Sequence, residues 1–171
     1  MNIKFLFPCL LLFLGTSSLS AQNADAKITI SQVVDAGADE VWTILRQLDN
    51  IDELSSLVGS VEFIGEFDTG GKRICVAPEE GQGRFVESIL DFDDAGRTYT
   101  YAVVEGIPAK GVVSNFKVVD LGYQKSMIVW TSTYEQFLEN PQMTEEQFTG
   151  FLNMAATEMV GNVASKASTA K

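Results

Sequence analysis

The sequence has 171 residues, a formal net charge of −11 and no histidine. The negative charge argues against binding of nucleic acid, or of an anionic membrane surface, by release of counterions. Without histidine, the commonest metal ligand and the usual base of serine and cysteine nucleophiles are missing, and no calcium-loop spacing or phosphate-binding glycine motif occurs. We therefore predict no catalytic triad, no metal site and no cofactor.

Residues 1–21 have the organisation of a secretory signal peptide. Lys4 precedes an uncharged apolar run at 5–14, and mostly small or polar residues follow up to Ala21. Ten residues of helix reach only about 15 Å, about half of a bilayer's hydrocarbon core, so this run is too short for a membrane anchor. We expect an exported protein, periplasmic or extracellular, with cleavage within about a residue of Ala21. No later segment is apolar enough to predict stable membrane insertion of the mature chain.

Cleavage changes the cysteine count and the charge. It removes Cys9 and Lys4, so Cys75 is the only cysteine left, no internal disulfide is possible, and the net charge becomes −12. The mature chain of about 150 residues is long enough for one domain that buries close to 70% of its unfolded surface. We predict a single domain over residues 22–171, with its core at 27–165.

Turn residues divide the chain at intervals typical of strands. An alternating pattern predicts a strand at 27–34, and apolar spacing predicts a helix at 38–48 and a second short helix at 52–58. Further strands are predicted at 60–67, 73–77, 83–92, 98–105, 112–120 and 126–137.

The spacing of the apolar residues changes after Pro141. Apolar residues recur every three or four positions from Phe148 to Val163, which predicts a long C-terminal helix. Thr144 followed by Gln147 has the spacing of a capping box at its start. The order of elements predicts an α+β domain, in which helix covers one face of an antiparallel sheet of about six to seven strands.

Four stretches resemble the START-like superfamily, which includes the polyketide cyclase/dehydrase and lipid-transport proteins. They lie at 36–42, 71–73, 85–93 and 99–108, and the last is similar, almost residue by residue, to plant pathogenesis-related proteins of the birch pollen allergen type. The resemblance implies a helix-grip fold, in which a bent sheet and the C-terminal helix enclose an apolar cavity. It leaves the function open, because members of this superfamily carry lipids, sense hormones or catalyse cyclisations.

The resemblance also places Tyr99 and Tyr101 inward and, on the neighbouring strand, Phe85, Glu87 and Ile89. Strand parity adds Val103 and groups the residues that share a face on the later strands. The predicted ligand-binding residues are Phe85, Glu87, Ile89, Tyr99, Tyr101, Val103, Ser114, Phe116, Trp130, Ser132 and Tyr134 on the strands, with Phe148, Phe151, Leu152 and Ala155 on the helix. Any one of these aromatic residues could instead belong to an ordinary core. Their mixture with hydroxyls and a carboxylate favours a ligand cavity, because a closed core avoids polar groups without partners.

Glu87 is the catalytic candidate among these residues. Its carboxylate could hold a ligand hydroxyl or amine, or act as a general base with a raised pKa. The alternative is an ion pair with Arg73 or Arg84. Cys75 lies in a strand between Ile74 and Val76, and we predict a buried thiol, because no histidine can activate it.

Three functions remain open at this point. The leading hypothesis is a carrier or sensor of a small apolar molecule, such as a lipid, a sterol-like or a polyketide-like compound. The second is a cofactor-free cyclase, dehydratase or isomerase that uses Glu87 as acid or base, with Tyr99 or Tyr101 polarising a carbonyl. The third is an envelope interaction module that acts through its surface, which a side-chain-filled interior would favour.

Overall fold

A computed structural model of the chain describes residues 27–79 and 83–169. The predicted signal peptide at 1–21 therefore lies outside the described residues. The strands are β1 (Ile28–Val34), β2 (Ser60–Ile64), β3 (Lys72–Val76), β4 (Arg84–Asp93), β5 (Thr98–Glu105), β6 (Ala109–Lys110), β7 (Val112–Gly122), β8 (Lys125–Thr133) and β9 (Gln136–Phe137). The helices are α1 (Ala38–Leu45) and α2 (Glu145–Thr169), and a 3₁₀ turn lies at Ile51–Glu53.

Seven strands form one antiparallel sheet in the order β1-β8-β7-β5-β4-β3-β2. The short strands β6 and β9 pair as a separate ribbon. The pairing of β4 with β5 shifts register twice, between Val86 and Glu87 and between Ile89 and Asp91. Such irregularities bend the bulged strand and increase its twist, so the sheet curves around the elements that cover it.

Helix α2 covers the inner face of the sheet and contacts β1, β8 and α1. Its buried residues recur at helical spacing and include Phe148, Ala156, Val160 and Val163. The predicted capping box is present. The backbone N–H of Thr144 donates to Oε1 of Gln147 at 2.9 Å, and the backbone N–H of Gln147 donates to Oγ1 of Thr144 at 3.2 Å.

Helix α1 fills one end of the concave face. The Trp42 ring lies 5.7 Å from Phe92 and 6.3 Å from Tyr99, measured between ring centroids. Its indole N–H donates to Asp94 in the β4–β5 turn at 2.7 Å, and Arg46 makes an ion pair with the same carboxylate at 3.1 Å. The inner face is therefore packed with side chains at this end.

Three predicted elements differ from the structure. The helix predicted at 38–48 ends at Leu45, where the side-chain amide of Asn50 donates to the carbonyl of Ile44 at 2.9 Å and satisfies a group that a longer helix would have bonded. The helix predicted at 52–58 is only the 3₁₀ turn at Ile51–Glu53 followed by a loop. The strand predicted at 126–137 divides into β8 and β9, because the chain leaves the sheet after Thr133 to pair with β6.

The other six predicted strands agree with the structure to within three residues at each end, and the short strand β6 was not predicted. The long antiparallel sheet, the helix after the first strand and the C-terminal helix confirm the helix-grip architecture expected from the resemblance.

Candidate functional site

A cavity of about 480 Å³ lies between the inner face of the sheet and the first half of α2. Loop residues line its remaining sides. The wall is formed by Arg73, Arg84, Phe85, Glu87, Tyr101, Val103, Val112, Ser114 and Trp130 on the strands, by Phe148, Phe151, Leu152, Ala155, Ala156 and Met159 on α2, and by Ile51, Ser55, Leu57, Val58, Ala77, Gly83, Gly106, Ile107, Pro108, Gln142 and Met143 on connecting segments. Most of these side chains are apolar, and a few polar groups point into the same space.

The register of the sheet explains why the polar groups meet. Arg73 pairs with Glu87, and Glu87 pairs with Val103 across the next two strands. One row further along, Tyr101 pairs with Ser114. Residues opposite one another in antiparallel strands project to the same face, so these side chains become neighbours on the concave surface.

Arg73 and Glu87 form a buried ion pair on the cavity wall. Nε of Arg73 donates to Oε2 of Glu87 at 2.6 Å, and the side chains are 1% and 8% exposed. Nη1 of Arg73 donates to the backbone carbonyl of Leu48 at 3.2 Å, beyond the end of α1. The guanidinium lies 4.9 Å from the ring centroid of Tyr101 and 5.6 Å from that of Tyr99, within the range of cation–π attraction.

Burial and the charge of the partner act in opposite directions on the pKa values of Glu87 and Arg73. Burial raises the pKa of Glu87, and the positive charge and hydrogen bond of Arg73 oppose that rise. Burial alone would lower the pKa of Arg73, but the carboxylate of Glu87 and the neighbouring tyrosines raise it overall. Burial, together with the Glu87 charge, also raises the pKa of Tyr101. Tyr101 therefore faces the cavity as a neutral phenol that can donate a hydrogen bond.

Two further hydrogen bonds fix the polar groups of the wall. Nε1 of Trp130 donates to the hydroxyl of Tyr101 at 3.1 Å. Oγ of Ser114 donates to Oγ of Ser132 at 3.0 Å. These bonds orient both rings and both hydroxyls, so a ligand meets a pre-formed arrangement.

The structure brings most of the predicted ligand-binding residues onto the cavity wall. These are Phe85, Glu87, Tyr101, Val103, Ser114, Trp130, Phe148, Phe151, Leu152 and Ala155. The sequence left two positions open for Glu87, a carboxylate on the cavity wall or an ion pair with an arginine. The structure shows both, because the carboxylate faces the cavity and pairs with Arg73.

The other predicted residues, Ile89, Tyr99, Phe116, Ser132 and Tyr134, do not line the cavity. Strand parity places Tyr99 and Phe116 on the inner face, but their rings pack together at 5.4 Å at the end that α1 fills. Ile89 is buried in the same core, and Ser132 lies behind Ser114 as its hydrogen-bond acceptor. Tyr134 belongs to a second cluster, where its hydroxyl donates to Glu145 at 2.7 Å and holds the start of α2.

Residues of the connecting segments were missing from the predicted site. Ile107, Pro108 and Met143 line the cavity from loops, where strand parity gives no direction for a side chain. Arg73 was considered only as a partner of Glu87, although its place opposite Glu87 in the sheet makes it a wall residue. The sequence feature that could have indicated these wall residues is the apolar character of 57–58 and 107–108, which lie beside turn residues.

Cys75 is fully buried in β3, as predicted. Burial, with the nearby Glu87 charge, raises the pKa of its thiol to about 12. In the part of the chain that the structure describes, no group of His, Cys, Asp and Glu side chains could hold a metal ion, and no helix is long and apolar enough to cross a membrane.

Comparison of the sequence with protein families gives one match that spans nearly the whole described region. The model of the family described as polyketide cyclase/dehydrase and lipid transport matches residues 25–167. A comparison with curated proteins gave no match.

Solved structures with a similar fold include proteins from bacteria and a plant. The protein XoxI from Bacillus cereus has a TM-score of 0.69 at 16% identity, over 81% of this chain and 92% of that chain. The Zhui aromatase/cyclase from Streptomyces sp. R1128 has a TM-score of 0.66 at 18% identity, over 82% and 92%. Norcoclaurine synthase from Thalictrum flavum has a TM-score of 0.63 at 20% identity, over 84% and 94%. At these identities the similarity shows the fold alone.

Proposed function

We propose that this chain, which belongs to the polyketide cyclase/dehydrase and lipid transport family, binds a small apolar molecule in its internal cavity and carries it without transforming it. The family match confirms the resemblance to the START-like superfamily. The observation that carries the proposal is the cavity of about 480 Å³ with its largely apolar wall.

The size and the lining of the cavity both support a small ligand. Pockets for drug-sized molecules typically enclose about 300–1,000 Å³ and combine apolar walls with a few polar groups that fix orientation. Phe85, Phe151 and Met159 supply such a wall here, and Glu87 and Tyr101 supply the polar groups. A module that acts only through its surface would not need this space, so the cavity disfavours the third hypothesis.

The proposal can be tested by identifying what the protein retains. Protein purified from its own producer is analysed by native mass spectrometry, and the bound compound is recovered by solvent extraction. We expect a stoichiometric apolar compound of a mass that the cavity can hold. Protein without any retained compound, which also binds nothing from a panel of lipids and polyketide-like compounds, would contradict the proposal.

A variant that fills the cavity provides the matched control. Ala155→Trp places a large ring where Ala155 now lines the wall, whereas Asn153→Trp places the same ring on an exposed position of the same helix. We expect Ala155→Trp to lose the compound and Asn153→Trp to retain it. Equal retention by both variants would place the ligand outside the cavity.

Catalysis that uses Glu87 as acid or base is the second candidate. Its support is the position of this carboxyl on the cavity wall and a pKa that burial raises. Arg73 already holds one carboxylate oxygen at 2.6 Å, which suits a fixed binding group better than one that exchanges protons. If the retained compound is converted by the protein, Glu87→Gln should abolish the conversion and leave the compound bound.

Export remains part of the proposed function. The organisation of residues 1–21 supports it, and the protein would then act in the periplasm or outside the cell. The intact mass of the protein recovered from cell fractions tests this proposal. We expect a chain that begins within about a residue of Gln22 in the exported fraction, and a full-length chain confined to the cytoplasm would contradict it.

A further inference from the structure

We propose that the ligand is a neutral apolar compound with a hydroxyl group, an alcohol or a phenol, and that this hydroxyl binds between Glu87 and Tyr101. The inference rests on the proposed function and specifies the ligand class of the same cavity. It follows from which hydrogen-bonding atoms of the wall are already engaged and which face the cavity without a partner.

Glu87 offers an acceptor. Its Oε2 takes the hydrogen bond from Arg73, but no hydrogen bond among the described residues reaches Oε1. The residue is only 6% exposed and lines the cavity, so the space from which a donor can approach Oε1 is the cavity itself. Among the described residues no buried side-chain nitrogen or oxygen lacks a hydrogen-bond partner, so Oε1 keeps some exposure, and a ligand donor in the cavity can reach it.

Tyr101 offers a donor close to this acceptor. Its oxygen accepts the indole N–H of Trp130 at 3.1 Å, and no acceptor among the described residues takes its hydroxyl proton. The Arg73 guanidinium, bonded to Glu87, lies 4.9 Å from the Tyr101 ring, which places both groups on the same part of the wall. A hydroxyl can accept one hydrogen bond and donate another at the same time, so it can bond to Tyr101 and to Glu87 together.

The charge of this part of the wall excludes the two common charged head groups. A ligand carboxylate would be attracted by Arg73 and repelled by Glu87, which are bonded to one another at 2.6 Å. A ligand ammonium group would be attracted by Glu87 and repelled by Arg73. Either ion would lose its hydration on entering a largely apolar cavity without a net opposite charge to compensate. A neutral hydroxyl avoids that cost.

The experiment compares ligands that share a skeleton and differ in one group. The ring series is 2-naphthol, 2-naphthoic acid and 2-methoxynaphthalene, and the linear series is 1-dodecanol, dodecanoic acid and dodecylamine, each titrated at neutral pH. Within whichever skeleton binds, we expect the hydroxyl compound to bind at least about tenfold more tightly than the acid, the amine or the ether, as one or two hydrogen bonds would give.

Two tyrosine variants test the assigned site. Tyr101→Phe should weaken binding of the hydroxyl compound about tenfold and leave binding of 2-methylnaphthalene, which has no oxygen to accept from Tyr101, within about twofold. Tyr123→Phe removes the same hydroxyl from an exposed tyrosine in the β7–β8 turn that does not line the cavity, and it should change neither affinity. Glu87→Gln replaces the charged acceptor on β4 with a neutral amide, so it should also weaken binding of the hydroxyl compound. Its urea unfolding curve checks that the variant folds.

The outcomes separate this inference from the proposed function. Equal affinities within a series, a preference for the acid or amine, or an unchanged hydroxyl affinity in Tyr101→Phe would overturn the inference and leave a ligand-binding cavity in place. Absence of binding by every compound in both series, together with no retained natural compound, would overturn both.

Discussion

Arg73 and Glu87 place two opposite charges inside a domain whose other wall residues are largely apolar. A buried ion pair is weak evidence of stabilisation, because removing two charges from water costs about as much as their attraction returns. Losing one partner is different, since the other then remains buried and uncompensated. The pair therefore constrains both residues together on the cavity wall.

Arg73→Met should be strongly destabilising for this reason. We expect a loss of about 3–5 kcal/mol in the free energy of unfolding at neutral pH, measured by urea denaturation. Without Arg73, the pKa of Glu87 rises further above its unfolded value. The loss should therefore be largest above that raised pKa and become smaller as the pH falls towards the ordinary carboxyl range.

The double variant Arg73→Met, Glu87→Leu serves as the control for this prediction. It removes both charges, so it should recover most of the stability that the single variant loses. A single variant that unfolds at the same urea concentration as the unchanged protein would contradict this prediction.

Cys75 gives a prediction about reactivity. Its side chain is fully buried and burial raises the pKa of its thiol to about 12, so almost no thiolate is present near pH 8. We expect iodoacetamide to modify Cys75 in the folded protein on the order of a hundredfold more slowly than in concentrated urea. Mass spectrometry of the Cys75 peptide measures both rates, and rapid modification in the folded state would contradict the burial of β3.

At the scale of elements, strand parity was the most reliable guide to the interior. Once Tyr101 on β5 was taken to point inward, Val103 had to point inward too, because a strand sends alternate side chains to opposite faces. Both residues lie on the cavity wall. Parity could not tell how far the cavity extends along a strand. Tyr99 has the correct direction but lies against Trp42 of α1, a contact that depends on how the helix packs.

Helix ends and loops were the parts that the sequence predicted least well. Leu48 has the spacing of a further helical turn and is buried, yet α1 ends at Leu45, and the Ile44 carbonyl accepts from the Gln47 N–H and the Asn50 side-chain amide instead of from Leu48. Met143 and Pro108 line the cavity from segments without a repeating pattern. In such segments the direction of a side chain is set by tertiary contacts, which no local periodicity encodes.

The start of α2 offers a test at the same scale. Thr144→Ala removes the Oγ1 that accepts the backbone N–H of Gln147 at 3.2 Å, so we expect a loss of about 1 kcal/mol in unfolding free energy. Thr157→Ala is the matched control, since its hydroxyl bonds to the Asn153 carbonyl within the same helix. That change should be close to neutral, because alanine has the higher helix propensity. Equal effects of the two variants in urea unfolding would show that the cap contributes nothing.

For the whole molecule, sheet and helix depend on one another. The inner face of the sheet buries Tyr101, Val112 and Ile128, and α2 covers it with Val160 and Val163. At one end α1 completes a close-packed core, and at the other the same layers separate around the cavity. The fold therefore combines a close-packed core in one part with a cavity in another.

This division predicts how the stability of the whole domain responds to a ligand. A compound that binds only the folded state stabilises it by about 2.7 kcal/mol at a concentration one hundred times its Kd. For a domain of this length each kcal/mol raises the unfolding midpoint by about 2–4 °C, so calorimetry with 2-naphthol at that excess should show a rise of about 5–10 °C. Ala155→Trp fills the cavity and should lose the rise, whereas Asn153→Trp should keep it. A rise of the same size in Ala155→Trp would mean that the compound stabilises the domain from a site other than the cavity.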